Sequence, residues 1–173
     1  QLLYQGPWIA ERKLATRGIN PRDMMPVIAD IITHSPDASA SDTFEALYQL
    51  AEYKRQCDLI LAEVEFIITP AFPRPFTRAE ILAAPISTNS ILGTYTNFMN
   101  LLDYAALAVP AGFTANGLPY GITLFGPAFS DMRLLSVGRE FHSQSDLPQG
   151  ATGFALPGIQ DSYAPPPVTT IDL

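Results

Sequence analysis

"LGTYTNFMNLLDYAALAVPAGFTANGLPYGITLFGPAF", Leu92–Phe129, holds a single charged residue, Asp103. Pro110, Gly112, Gly117, Pro119 and Gly121 interrupt it, so no apolar run reaches the about 20 residues that a bilayer-spanning helix needs. The stretch is therefore expected to be buried inside protein. Tyr95, Phe98, Met99 and Leu102 can share one helical face. "YAALAVPAG" is too short and too apolar for an exposed element, and it reads as a buried strand at about Ala105–Val109. "GITLF", Gly121–Phe125, reads as a second strand. Between them "FTANGLPYG" carries Asn116-Gly117, a strong reverse-turn signal. Two neighbouring apolar strands belong in the middle of a sheet covered on both faces. With helices before them, the expected class is α/β, a mixed central sheet with helices on both sides.

Composition sets outer bounds. The chain has 173 residues, 47% of them hydrophobic, which suits a folded domain with a core. A net charge of −7 argues against a nucleic-acid partner and against an anionic membrane surface. Cys57 is the only cysteine, and no signal-peptide pattern opens the chain, so a cytoplasmic setting is expected. "QLLYQGPW", Gln1–Trp8, lacks a starting Met and reads as internal sequence.

Outside the quoted stretch the pattern is mostly helical. Pro7 to Ala15 suits a helix, with proline in the first turn and Gly18 just past the end. A second helix is expected after Asn20-Pro21, from the spacing of Met24, Val27, Ile28, Ile31 and Ile32. "HSPDASASD" reads as a loop. Asp42-Thr43-Phe44-Glu45 has the spacing of a capping box, opening a long helix to about Ala62 with Phe44, Leu47, Ala51 and Leu59 inward. "EFIITP" gives a buried strand at Phe66–Thr69. Thr77-Arg78-Ala79-Glu80 is another capping box, opening a short helix before Pro85. Asp131 to Phe141 reads as an amphipathic helix with Met132, Leu135, Val137 and Phe141 inward. From Ser143 the composition turns to Gly, Pro, Ser and Thr. This divides the chain into a domain over 1–142 and a tail or linker over 143–173, leading toward a further C-terminal domain.

Few residues suggest chemistry. His34 and His142 stand apart from each other and from Cys57, so no metal site is expected. Cys57 has no base nearby in sequence and reads as a small buried group. The glycines of "PAGFTANGLPYG" fit neither a dinucleotide nor a phosphate loop. Ser87 and Ser90 read as helix caps, and there is no G-x-S-x-G elbow. Tyr4 and Arg12 are the remaining pair. A turn can bring them to one cleft, where a guanidinium fork and a phenol would hold a carboxylate. The plainer alternative pairs Arg12 with Glu11 or Asp23 on a solvated face.

Three stretches carry a family resemblance: "FIITP" at Phe66–Pro70, "NSILGTYTNFMNLLDYAALAVPAG" at Asn89–Gly112, and "GLPYGITLFGPAFSDMRLL" at Gly117–Leu135. They resemble the C-terminal half of the amidase signature enzymes. "LLYQGPWIAER" at Leu2–Arg12 and "GTYTNFMNLLD" are most similar to the allophanate hydrolase subgroup. The resemblance implies hydrolysis of the C–N bond of a small amide, allophanate above all, to ammonia and carbon dioxide in urea degradation. It implies no metal or organic cofactor. Family members use a serine nucleophile, a second serine that relays its proton, and a lysine base, with backbone N–H groups on the oxyanion. This chain has only Lys13 and Lys54 and no Gly-Ser-Ser segment. No catalytic residue is therefore assigned to it, and the chain alone is expected to be inactive. Tyr4 and Arg12 occupy the positions where the subgroup holds the substrate's carboxylate. The implied partners are the amide substrate and the missing N-terminal half, with homo-oligomerisation left open. Two other readings stand beside this one: a truncated, non-catalytic fragment with an assembly or interaction role, and an amidase of another small amide.

Overall fold

A computed structural model describes residues 6–149 and 152–155 of the chain. It is α/β, as expected. Pro7 takes the N-cap position of helix α1, Trp8–Ala15, whose C-cap is Thr16; Gly18, two residues further on, takes φ +91°. The helix expected after Asn20-Pro21 is broken in two. A 3₁₀ turn at Pro21–Asp23 is followed by α2, Pro26–His34. Pro26 is the cause: the residue before a proline is driven out of the helical region, and Met25 sits at ψ 136°. Met24 therefore lies outside the helix.

The long helix α3 runs Ala40–Leu61 and starts three residues before the expected box. Ser39 Oγ accepts the Asp42 N–H at 3.1 Å, and Asp42 accepts the Ser39 N–H at 2.8 Å. Its covered stripe is Thr43, Ala46, Leu50, Lys54, Cys57 and Leu61, stepping by three and four. Cys57 on that stripe is only half-buried. The expected inward face is wrong for this structure. Phe44, Leu47 and Leu59 are 58%, 45% and 60% exposed, because no described residue covers that side of the helix.

The sheet has three strands in the order β1-β3-β2: β1 Ile67–Pro70, β2 Ala105–Phe113 and β3 Pro119–Gly126. Both pairings are antiparallel. Of the three strands expected to be central, β3 alone has described neighbours on both sides. β2 and β3 form a hairpin around Ala115-Asn116-Gly117. Thr114 N–H bonds Leu118 O and Gly117 N–H bonds Thr114 O, both at 2.8 Å. Gly117 supplies the φ of +79° that this three-residue loop requires. Leu107 stands opposite Leu124, and Ala106 opposite Phe125. A one-residue slip would exchange these two faces.

Between β1 and β2 lie α4, Arg78–Ala83, α5, Pro85–Leu92, and α6, Asn97–Leu101. The Thr77–Glu80 capping box forms as expected, with Glu80 accepting the Thr77 N–H at 2.7 Å. Ser87 and Ser90 lie within α5 rather than at its caps. The last helix is α7, Asp131–Gln144. One sheet face packs Ala105, Leu107, Val109, Ile122 and Leu124 on Leu134 and Val137 of α7. The other packs Phe125 and Ile67 on Leu61, Phe98 and Met99. The inward phase of α7 is shifted from the expected one: Leu134, Val137 and Gly138 face the sheet, while Met132, Leu135 and Phe141 are exposed. Among the described residues, no helix is long and apolar enough to cross a membrane.

Candidate functional site

Arg12 lies in the last turn of α1. Ile9 buries this helix, and Thr16 Oγ1 closes it by donating to Arg12 O at 2.8 Å. The neighbouring Lys13 makes two contacts. Its Nζ donates to Ser35 O at 2.5 Å and to Asp37 Oδ1 at 2.8 Å, tying α1 to the segment between α2 and α3. The hydrogen bond from Lys13, and then its charge, hold the Asp37 carboxyl below the usual carboxylate range.

The Arg12 guanidinium is exposed and has no ion-pair partner among the described residues, so neither the Glu11 nor the Asp23 pairing occurs. Tyr4 lies outside the described residues. A shallow cleft of about 340 Å³ lies beside α1, lined by Ala10, Lys13, Leu14, Arg17, Asp37 and Ala38. Arg12 does not line it. Chemically, an unpaired guanidinium can bind and orient a carboxylate by two parallel hydrogen bonds. It supplies neither nucleophile nor base.

The second lysine is also committed. Lys54 Nζ contacts both Asp58 oxygens at 2.6 and 2.8 Å and sits 4.7 Å from the centre of the Tyr104 ring. Tyr104 donates its hydroxyl proton to Asp58 at 2.9 Å and stacks on Phe125. Burial, then the Asp58 hydrogen bond, push the Tyr104 phenol above its ordinary range. The hydrogen bond from Lys54 pulls Asp58 down. This cluster fastens the end of α3 to the start of β2. Its Lys54–Asp58 half is visible in sequence as an i, i+4 pair, but Tyr104 is not. Among the described residues neither lysine bonds a serine hydroxyl; Lys13 reaches Ser35 through its backbone oxygen.

One polar feature has no counterpart in the sequence reading. Thr69 on β1 stands opposite the buried Thr123 on β3, and the Thr69 hydroxyl is buried without a hydrogen-bond partner among the described residues. His34 pairs with Asp30 in its own helix, and His142 reaches Pro148 O. Among the described residues, no three His, Cys, Asp or Glu side chains converge as a metal site would require.

The sequence pattern of the family described as Amidase matches residues 22–135. A urea amidolyase of Lachancea kluyveri is 39% identical over 157 residues, covering 88% of this chain and 8% of that protein. Among solved structures, the selenomethionine-substituted allophanate hydrolase of Kluyveromyces lactis superposes with a TM-score of 0.79 at 35% identity. It covers 89% of this chain and 26% of that one. The urea amidolyase of the same yeast gives 0.76 at 37% identity, covering 84% of this chain and 9% of that one. The chain thus spans about a quarter or less of the proteins it matches here.

Proposed function

The chain belongs to the amidase family, and from that premise we propose that it is one part of a longer amide hydrolase acting on allophanate. The similarity to urea amidolyase and allophanate hydrolase across most of its length supports this reading. The observation that carries the substrate class is the exposed Arg12, which has no ion-pair partner among the described residues. Allophanate bears a carboxylate beside its scissile amide. In this reading Arg12, with Tyr4, grips that carboxylate and fixes the amide for attack by a serine, activated through a second serine and a lysine base, all supplied from outside this chain.

The test joins this chain to the catalytic portion of the Kluyveromyces lactis allophanate hydrolase. The efficiency kcat/KM is then compared on allophanate and on an uncharged small amide. Arg12→Lys keeps the charge and loses the fork. The expected cost is about 1.5–3 kcal/mol on allophanate, the scale of a hydrogen bond to a charged group. That is a loss of about ten- to hundred-fold or more. The uncharged amide should be little affected, and Tyr4→Phe should show a smaller loss in the same sense. Equal losses on both substrates would make Arg12 structural and favour an amidase of another small amide.

A further inference from the structure

On α3 the apolar residues Phe44, Leu47, Tyr48 and Ala51 follow one another at i, i+3, i+4 and i+7. That spacing puts all four on one side of the helix, adjacent to the covered stripe. Phe44, Leu47 and Tyr48 are 58%, 45% and 71% exposed, and the Phe44 and Tyr48 rings lie 6.3 Å apart. A paired aromatic with flanking aliphatics at this spacing is the pattern of a helix face seated in an apolar groove. A helix with two apolar stripes is built to be covered on both.

Two observations choose the occupant. Roughly three quarters of the Kluyveromyces lactis chain lies outside the region that this chain matches, so the family supplies ample protein to cover it. A second copy is disfavoured by charge. Glu45 and Glu52 border the stripe. Arg55 offsets the second of them, but the chain as a whole carries a net −7, so self-pairing would set acid against acid.

We infer that the Phe44–Leu47–Tyr48–Ala51 face of α3 is the seat for the part of an amidase domain that this chain does not contain. The inference rests on the reading that the chain is one part of a longer amidase, but not on allophanate as the substrate.

The experiment replaces the matched region of the Kluyveromyces lactis allophanate hydrolase with this chain. Hydroxyl-radical labelling of Phe44 and Tyr48 is then compared between this full-length chimera and the 173-residue chain. Labelling in the chimera should fall at least about tenfold, as expected for aromatics in a water-excluded interface. Leu47→Asp should lower the thermal midpoint of the chimera and leave that of the 173-residue chain unchanged, since the side chain is solvated there. Gln49→Asp, on the same helix but off the stripe, should do neither. Equal labelling in both proteins, or equal effects of Leu47→Asp in both, would overturn the inference. A chimera that protects the stripe yet leaves allophanate intact would keep the interface and sink the substrate reading alone.

Discussion

Phe129 is the most conspicuous single residue. It is 96% exposed and holds φ +66°, a left-handed conformation that costs a bulky side chain about 1–2 kcal/mol. Almost nothing is buried in return. Phe129→Gly should therefore be neutral or stabilising by up to about 1 kcal/mol, once glycine's greater unfolded freedom is subtracted. A urea titration showing a clear loss would mean that the ring is packed. Gly138 presents the opposite case. A Cβ there would lie 2.5 Å from Leu107 Cδ2 and 2.9 Å from Val109 Cγ2. The gain in helix propensity from Gly138→Ala, about 1 kcal/mol, is offset by overpacking of about 1–3 kcal/mol. Gly138→Val should lose more, because its branched atoms meet the same two side chains. Glu52 gives a pH signature. Two hydrogen bonds from Arg55, and one from Gln56, hold its carboxyl down to about 2. Its folded value is lowered, so its contribution to stability is complete above about pH 4.5 and is lost as the pH falls through 2. Carbon-detected NMR should place the Glu52 midpoint near 2, and Arg55→Ala should raise it.

At the level of elements, caps and breaks decide the boundaries. Ser39→Ala should cost about 1 kcal/mol, the usual loss for an N-cap, and Thr77→Ala should cost a similar amount. Circular dichroism with urea unfolding checks both. The two boxes also show what is legible. Thr77–Glu80 carries the Thr-x-x-Glu signature and reads correctly. Ser39–Asp42 uses an aspartate at the third position, and the nearby Asp42–Glu45 spacing imitates a box. Pro26 marks the break before α2, but the surrounding apolar spacing masks it. The hairpin is legible because Asn116-Gly117 and two apolar runs agree with one another. The phase of α7 is not, because Leu134 and Leu135 are equivalent in composition. Only the requirement for Gly138 to meet Leu107 and Val109 chooses between them. The candidate site is less legible still. Arg12 and Tyr4 stand out as a pair that a turn could unite, but their role comes from resemblance, and Thr69 carries no signal in sequence at all.

Over the whole molecule, apolar surface and charge compete. Phe44, Tyr48, Leu82 and Phe129 are exposed, on a chain whose net charge of −7 opposes self-contact. The 173-residue chain should bind a hydrophobic dye, and its self-association should grow as salt screens the charge. Light scattering across a salt series checks this; a monodisperse monomer with no dye binding at any salt would contradict it. The proposed division at 142/143 falls within the last turn of α7, which runs to Gln144, so the prediction it makes concerns the residues beyond that helix. Limited proteolysis should cut within 145–173 before it cuts β2 or β3, the expectation for turn-rich sequence with little apolar periodicity.

The chain's one tryptophan, Trp8, opens α1, the helix that packs on α2 and is pinned by Lys13. Its emission is therefore a reporter for that corner, whereas far-ultraviolet ellipticity averages over every helix and strand. If the corner loosens before the hairpin core, the fluorescence midpoint in denaturant will fall below the ellipticity midpoint. A coincident pair of curves would show that α1 and α2 melt with the sheet as one cooperative unit.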